Sequence, residues 1–254
     1  MNNTKYDEYL VLACEIAREA GKVIMSYFSK TYSHSKKIDD SPVTEADIAA
    51  NRYITEKLAI IAPHIPVIAE EDEVIGSSKH KCFFLVDPLD GTRSFVRGEP
   101  EFTVNIGFIE DNCPVFGVIY CPPQDILYFG MVGENAYKQI GNARPQTIKV
   151  RSKPDIGLSV VRSRSSPSKA TRAYLEKLHI NEITSGSSSV KFCMVAEGVA
   201  DIYPRFGRTM EWDTAAGQAI LEAAGGSVKT EDEKPLRYGK KDFVNPAFIA
   251  FGKQ

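Results

Sequence analysis

Apolar residues recur every three or four positions near the start of the chain. The residues with this spacing are Leu10, Cys14, Ala17, Gly21, Ile24 and Phe28. Such spacing places apolar side chains on one face, so it predicts a long first helix. A second helix is predicted to begin at Thr44, where a threonine cap precedes Asp47 at the third helical position, and to end before Pro63.

Short apolar runs follow the second helix and predict two strands that end in acids. Val67 to Ala69 leads into E-E-D-E at residues 70–73, and Cys82 to Val86 leads into D-P-L-D-G-T at residues 87–92. Both strands therefore deliver carboxylates at their C-terminal ends.

The pattern changes from strand-rich to alternating near residue 150. Apolar segments at 102–108, 115–121 and 126–129 predict an antiparallel meander. Beyond residue 150 the pattern predicts strands at 158–162 and 200–203, and helices at 168–178, 189–197 and 213–224. We therefore expect one α+β unit with two lobes, residues 1–150 and 151–254, and an active site between them.

Composition narrows the class of function. The chain has 254 residues, 43% hydrophobic and 25% charged, with a net charge of -2 and no basic stripe. This balance argues against a polymeric nucleic-acid partner. The start lacks a signal-peptide pattern and no apolar run could cross a bilayer, so a cytoplasmic protein is expected. Peripheral membrane association, and the choice between monomer and homodimer, stay open.

The cysteines and histidines exclude several kinds of chemistry. Five cysteines are scattered without a C-x-x-C pair, and four histidines show no zinc-ligand spacing. Disulfide frameworks, zinc chemistry and a Ser-His-Asp triad therefore lack their residues. Carboxylates remain as the groups that could carry a reaction.

The hexapeptide at residues 87–92 concentrates those carboxylates. Asp87, Asp90 and the carbonyl of Leu89 offer only oxygen ligands, which suit magnesium. The amides of Gly91 and Thr92 open the next turn, and amides at a helix start hold phosphate well. A plain polar turn explains the same residues equally well.

Two further acids favour a metal site over a plain polar turn. Glu70 ends a strand, and Asp213 begins a helix whose next residues are small. Taken singly, the first reads as part of a solvated acidic run and the second as a helix cap. Together with the hexapeptide they favour a metal site.

These motifs resemble the signature of a known superfamily. The chain resembles the lithium-sensitive magnesium phosphatases of the inositol monophosphatase superfamily in five motifs. They are S-P-V-T-x-A-D at 41–47, E-E after a strand, D-P-L-D-G-T, W-D-x-A-A-G at 212–217 and A-x-G-G at 223–226. The resemblance implies an α+β fold, a layered αβαβα sandwich, and inhibition by lithium. It also implies two or three Mg²⁺ ions, held by Glu70, Asp87, the Leu89 carbonyl, Asp90 and Asp213.

The resemblance also implies which residues orient the attacking water. Asp47 and Thr92 would orient it, with Thr92 passing a hydrogen bond from water to Asp47. The alternative is that Asp47 serves only as a helix-capping acid.

Within the superfamily, three motifs resemble the bacterial CysQ-type 3'(2'),5'-bisphosphate nucleotidases. These are E-F-T-V-N-I at 101–106, G-S-S-x-x-K-F-C at 186–193 and Y-P-R-F-G at 203–207. This resemblance implies a small-molecule substrate, adenosine 3',5'-bisphosphate, hydrolysed to AMP and phosphate. The implied substrate contacts are Gly91, Thr92, Ser188, Lys191, Arg205 and Asp213.

The chain departs from the nucleotidase pattern at two positions. Ser166 stands where a histidine often faces the base, which puts stacking of the adenine in doubt, and Arg93 replaces a more usual lysine. An inositol or sugar monophosphate phosphatase is the alternative within enzymes, and a non-catalytic phosphate-binding regulatory module is the alternative outside them.

Overall fold

The first two helices form as the apolar spacing predicts. In the computed structural model, which describes residues 3–28, 35–36, 42–72, 79–164 and 167–253, helix α1 spans Asn3–Phe28 and helix α2 spans Glu45–Ile61. Strands β1 (Ser35–Lys36) and β2 (Pro42–Val43) form a two-stranded sheet between them. The hydroxyl of Thr44 accepts a hydrogen bond from the Ala46 N–H at 3.2 Å, so Thr44 caps α2 as predicted.

A seven-stranded sheet forms the centre of the first half of the chain. Its strands are β3 (Val67–Ala69), β4 (Cys82–Asp90), β5 (Thr103–Glu110), β6 (Cys113–Cys121), β7 (Ile126–Met131), β8 (Ala136–Ile140) and β9 (Gln146–Ile148), in that spatial order. Only the β3–β4 pair is parallel within this sheet, and the meander that follows is antiparallel. The meander is confirmed, and β8 and β9 extend it beyond the sequence prediction.

The acidic hexapeptide lies partly inside a strand, which corrects the sequence prediction. We expected the strand to end at Val86 and a turn to follow, but β4 continues to Asp90, and the short helix α3 (Thr92–Val96) follows it. Asp87 pairs with Asn105 and Asp90 with Thr103, and the register is irregular between them. Pro88 lacks an N–H, which suits such an irregular stretch better than a regular ladder.

The second half of the chain forms a five-stranded mixed sheet. Its strands are β10 (Leu158–Ser163), β11 (Ile180–Gly186), β12 (Ile202–Arg205), β13 (Ser227–Thr230) and β14 (Phe248–Phe251). Their spatial order is β11-β10-β12-β14-β13. Helices α4 (Lys169–Leu175), α5 (Val190–Ala196) and α6 (Ala215–Ala223) connect or flank them. The sequence missed β11, β13 and β14, and it predicted longer helices than α4 and α6.

Hydrophobic clusters define five layers. Residues of α1 and α2 pack on one face of the first sheet. The other face shares a cluster with α5, α6 and the second sheet, including Ile119, Phe192, Ile220 and Phe248. Side chains near α4 pack on the outer face of the second sheet. The layers alternate helix and sheet, so the predicted αβαβα sandwich is confirmed.

Helix α6 approaches the first sheet unusually closely. A Cβ atom on Gly117 of β6 would lie only 2.2 Å from the Ala216 carbonyl oxygen, and one on Gly107 of β5 would lie 2.7 Å from the Ala215 Cβ. Glycine at these two positions permits the close approach of the helix because it has no side chain.

The predicted division into lobes at residue 150 stays a prediction. Within the described residues, no helix is long and apolar enough to span a membrane.

Candidate metal and substrate site

Parallel pairing brings the first two acids together. Ala69 of β3 lies opposite Val86 of β4, and the Glu70 N–H donates to the Val86 carbonyl at 3.0 Å. The carboxyl ends of parallel neighbours meet at one edge of a sheet. Glu70 and Asp87 therefore leave adjacent strands at the same edge, as the sequence predicted.

The third acid comes from the second half of the chain. Asp213 ends a short 3-10 helix, Glu211–Asp213, directly before α6, rather than beginning a longer α-helix as predicted. Its Oδ2 accepts a hydrogen bond from the Met210 N–H at 2.9 Å. One carboxylate oxygen each from Glu70, Asp87 and Asp213 lie within 4.8 Å of one another.

Electrostatics at this cluster fit a divalent cation. Burial and the neighbouring carboxylates of Glu70, Asp90 and Asp213 raise the pKa of Asp87 well above its ordinary value. Burial, together with Asp90 and Glu70, likewise raises the pKa of Asp213 to about 8. Crowded, buried carboxylates repel one another, and a cation bound between them would replace that repulsion with attraction. A donor set made only of oxygen suits a hard ion such as Mg²⁺.

Asp90 lies at the end of β4 in a network of hydrogen bonds. Its Oδ2 accepts one from the Ser189 hydroxyl at 2.7 Å and one from the Asn105 amide at 3.4 Å. Asp90 raises the pKa of both Asp87 and Asp213, so its charge acts on the cluster. Its role as a metal ligand stays a prediction.

Asp47 makes the contacts that both of its predicted roles require, and its role toward the attacking water stays a prediction. Its Oδ2 accepts hydrogen bonds from the N–H and the hydroxyl of Thr44, at 2.8 and 2.5 Å, and so caps α2. Its Oδ1 lies 3.1 Å from the hydroxyl of Thr92. That hydroxyl is also 3.1 Å from the Leu89 carbonyl, so its one proton is shared between two acceptors. The fully buried Asp47 therefore joins α2 to the acidic hexapeptide.

The residues after the acids begin a short helix. Gly91 has a left-handed backbone, with φ of 100°, and precedes helix α3 (Thr92–Val96). A Cβ at Gly91 would lie 2.9 Å from the Glu101 carbonyl, so a side chain would be strained there for two reasons. The predicted helical start after Gly91 is present.

A cavity of about 260 Å³ connects the acids with cationic side chains of the second half. Its lining includes Asp90 and Asp213 together with Ser188, Lys191 and Arg205. The structure therefore places two of the predicted metal ligands in one cavity with most of the predicted substrate contacts, although their individual roles stay predictions.

Lys191 is the most buried of the four cationic side chains that line the cavity. It is 5% exposed, its ammonium lies 5.2 Å from the centre of the Tyr203 ring, and it donates to the Ser188 carbonyl. Burial, together with the charge of Arg205, lowers the pKa of Lys191 to about 8, against the opposing effect of Asp90 and Asp213. An additional anion in the cavity would stabilise the charged form.

Arg205 retains an unused donor. Its guanidinium donates to the Ser163 hydroxyl at 3.0 Å and to the Arg208 carbonyl at 3.3 Å. Its Nε, like the hydroxyl oxygen of Ser188, is buried and has no hydrogen-bond partner among the described residues. Buried polar atoms normally have partners, so these two atoms favour a polar ligand in the cavity.

Sequence reasoning assigned no role to two residues of this site. Asn105 and Ser189 are 1% and 2% exposed and both bond to Asp90. An asparagine inside the apolar strand β5 could have indicated a functional residue, because its neighbours in the strand are apolar. A serine in a run of three serines gives no such indication. The predictions that involve Ser41, Glu73 and Ser166 fall outside the described residues.

The layered fold and the carboxylate cluster around the buried Asp87 fit the architecture of a metal-dependent phosphatase. The sequence model of the inositol monophosphatase family matches residues 5–251. The chain belongs to the inositol monophosphatase family.

Individual relatives within the family indicate a narrower class of enzyme. The chain is 45% identical to the 3'(2'),5'-bisphosphate nucleotidase CysQ of Salmonella typhimurium, over 92% of this chain and 96% of that protein. A crystal structure of CysQ from Bacteroides thetaiotaomicron matches with a TM-score of 0.82 and 36% identity, covering 97% of this chain and 98% of that one. An inositol monophosphatase structure from Anabaena matches with a TM-score of 0.78 and 29% identity, covering 98% and 92%. The predicted family and fold are confirmed.

Proposed function

We propose that this chain is a 3'(2'),5'-bisphosphate nucleotidase that hydrolyses adenosine 3',5'-bisphosphate to AMP and phosphate. The observation that carries the proposal is the charge in one cavity, which Asp90 and Asp213 line together with Lys191 and Arg205. A substrate with two phosphates fits this arrangement, because one phosphate can lie at the acids through bound cations and the other at the basic side chains. The similarity to relatives named CysQ nucleotidases supports the same substrate.

The acidic side would hold two or three Mg²⁺ ions. Glu70, Asp87, Asp90, Asp213 and the Leu89 carbonyl are the proposed ligands, and the mutual approach of three of these carboxylates supports the proposal. When bound, Mg²⁺ activates water for attack and neutralises charge on the phosphate and the leaving oxygen.

Asp47 and Thr92 would orient the attacking water. The Thr92 hydroxyl, which lies 3.1 Å from both Asp47 Oδ1 and the Leu89 carbonyl, would direct its hydrogen bond to the carboxylate when water binds. Its oxygen can then accept a hydrogen bond from water and turn one lone pair of the water toward phosphorus. The cap bonds on Asp47 Oδ2 fix the carboxylate, so the water is oriented by a rigid group.

Lys191, Arg205 and Ser188 would bind the phosphate that is not cleaved. Arg205 offers its unpartnered Nε, and Ser188 its unpartnered hydroxyl. Lys191 is already desolvated, so an anionic ligand need not strip much water from it. The cytoplasmic location and the choice between monomer and homodimer remain predictions from the sequence.

The experiment compares two substrates in three proteins. Specificity constants are measured for adenosine 3',5'-bisphosphate and for inositol 1-phosphate with wild type, Lys191→Met and Arg205→Ala. Losing one charged hydrogen-bond partner costs about 1.5–3 kcal/mol, or roughly ten- to a hundredfold in the specificity constant for the bisphosphate. Hydrolysis of inositol 1-phosphate should change little, because it has no second phosphate to bind.

Lys234→Ala is the matched control, since Lys234 pairs with Asp232 on the exposed surface. It should leave both specificity constants unchanged. Equal losses on both substrates in Lys191→Met and Arg205→Ala would show that these cations serve the cleaved phosphate or the fold. A wild-type preference for inositol 1-phosphate would overturn the nucleotidase assignment.

A further inference from the structure

Ser189 stands where a serine normally caps its own helix. It precedes the first residue of α5, and a serine at that position usually accepts a hydrogen bond from the amides of the first turn. Here the side chain makes no such bond. Its hydroxyl instead donates to Asp90 Oδ2 at 2.7 Å and lies 3.0 Å from the carbonyl oxygen of Asp213.

A second buried side chain fixes the direction of this hydroxyl. Asn105 of β5 donates its amide to the Ser189 oxygen at 2.8 Å. A serine hydroxyl has one proton, and both Asp90 Oδ2 and the Asp213 carbonyl can only accept. Because Asn105 occupies a lone pair of the oxygen, the Ser189 proton goes to these acceptors, and the shorter contact is to Asp90.

The network joins parts of the site that lie far apart in sequence. Asp90 ends β4, Asn105 lies in β5, and Ser189 directly precedes α5, which carries Lys191. All contacts of the Ser189 hydroxyl are made by a residue that is 2% exposed. Water therefore has little access to the Ser189 hydroxyl, and its hydrogen bonds hold their geometry more firmly than surface bonds would.

We propose that Ser189, held by Asn105, is a positioning residue for the metal site. It engages one oxygen of Asp90 so that the other oxygen is left to bind a cation beside Asp87 and Asp213. It also ties the acidic side of the cavity to α5, so that the metal ligands and the phosphate-binding Lys191 keep a fixed separation. This inference rests on the proposed function for the metal and for the role of Lys191.

The test is a metal-binding measurement that requires no turnover. Mn²⁺, which accepts the same oxygen ligands as Mg²⁺, is titrated into the substrate-free protein and followed by electron paramagnetic resonance. Removing an outer-shell partner of a metal ligand typically costs about ten- to a hundredfold in affinity, so Ser189→Ala should bind Mn²⁺ at least tenfold more weakly.

Ser159→Ala supplies the matched control. Ser159 is also a buried serine of the second half, with 6% exposure, but it lies on β10 and does not line the cavity. The same chemical change there should leave Mn²⁺ affinity at the wild-type value. Thermal unfolding of the metal-free proteins separates a loss of affinity from a general loss of stability.

A double-mutant cycle identifies the path through Asn105. If Asn105 acts on Asp90 through Ser189, the loss in Asn105→Ala/Ser189→Ala should be smaller than the sum of the two single losses. Additive losses, or a Ser189→Ala protein with wild-type affinity for Mn²⁺, would overturn the inference. A wild type that binds Mn²⁺ but hydrolyses no bisphosphate nucleotide would overturn the proposed substrate alone, and a wild type that binds no Mn²⁺ would overturn both.

Discussion

A single methyl group on Gly117 should damage the metal site without touching any acid. Gly117→Ala would place a Cβ atom 2.2 Å from the Ala216 carbonyl oxygen and 2.7 Å from the Ala216 Cα. Ordinary contact begins near 3.4 Å. Because interiors are close-packed, the first turn of α6 must retreat by on the order of 1 Å. Asp213 lies three residues before Ala216 and would move with that turn.

Two losses of different size follow from this displacement. Overpacking of this kind typically costs about 1–3 kcal/mol of unfolding free energy. A misplacement of about 1 Å in a catalytic arrangement can cost roughly a hundredfold in rate. Mn²⁺ affinity and the specificity constant for the bisphosphate should therefore fall much more than the stability does.

Gly21→Ala is the control on the opposite face of the same sheet. Its Cβ would lie 2.4 Å from the Tyr120 ring, so it also overpacks against β6. It lies on α1, where alanine regains about 1 kcal/mol of helix propensity relative to glycine. The folded variant should bind Mn²⁺ and turn over substrate as wild type does.

The assay combines chemical unfolding, Mn²⁺ titration and phosphate release for both variants. Wild-type Mn²⁺ affinity and turnover in Gly117→Ala, together with reduced stability, would refute the reasoning. The position of Asp213 would then not depend on the contact between α6 and β6.

Three further predictions follow from other contacts. Thr92→Ala should lower turnover by about a hundredfold with an unchanged circular dichroism spectrum, while Thr92→Ser keeps the hydroxyl and most of the activity; equal rates in the two variants would contradict the role of the hydroxyl. Asp201 is buried, which raises its pKa, but hydrogen bonds from Arg151 and the Ser159 N–H leave the pKa below its ordinary value. The ionised Asp201 therefore stabilises the folded state above about pH 4, and this contribution is lost as the pH falls. Asp201→Asn should cost about 1–2 kcal/mol of unfolding free energy at pH 7 and much less at pH 3, and an equal cost at both pH values in urea unfolding would contradict this. Chelation of Mg²⁺ should abolish phosphate release, and Ca²⁺, with its larger and looser shell, should fail to restore it; full activity with chelator present would exclude the metal assignment.

The sequence predicted the parts of the site that depend on local order. Glu70 and Asp87 each follow an apolar strand, so their meeting requires only that the two strands pair in parallel. Thr44 and Asp47 form a capping pair within four residues, and the structure contains it. These predictions were possible because the interacting residues, or the strands that carry them, lie close together in the sequence.

The parts that depend on long-range packing could not be predicted from the sequence. Asp213 reaches the cluster because α6 docks against glycines of β5 and β6, and a glycine in a strand does not identify its partner. Strand β11 is largely exposed and polar, so it lacks the alternation by which strands are detected. Ser189 and Asn105 gain their roles only when three separate elements meet.

The origin of Asp213 in the second half of the chain has a consequence during synthesis. A growing chain that has emerged only as far as β9 carries Glu70, Asp87 and Asp90, but the acid that completes the cluster is still to be made. Once α6 has docked, the divalent cation of the proposed site would bind the folded state in preference to the unfolded one, and mass action would hold the two halves together. The proposed hydrolysis would therefore begin only after α6 has docked, so a chain still in synthesis would not yet act on phosphate esters.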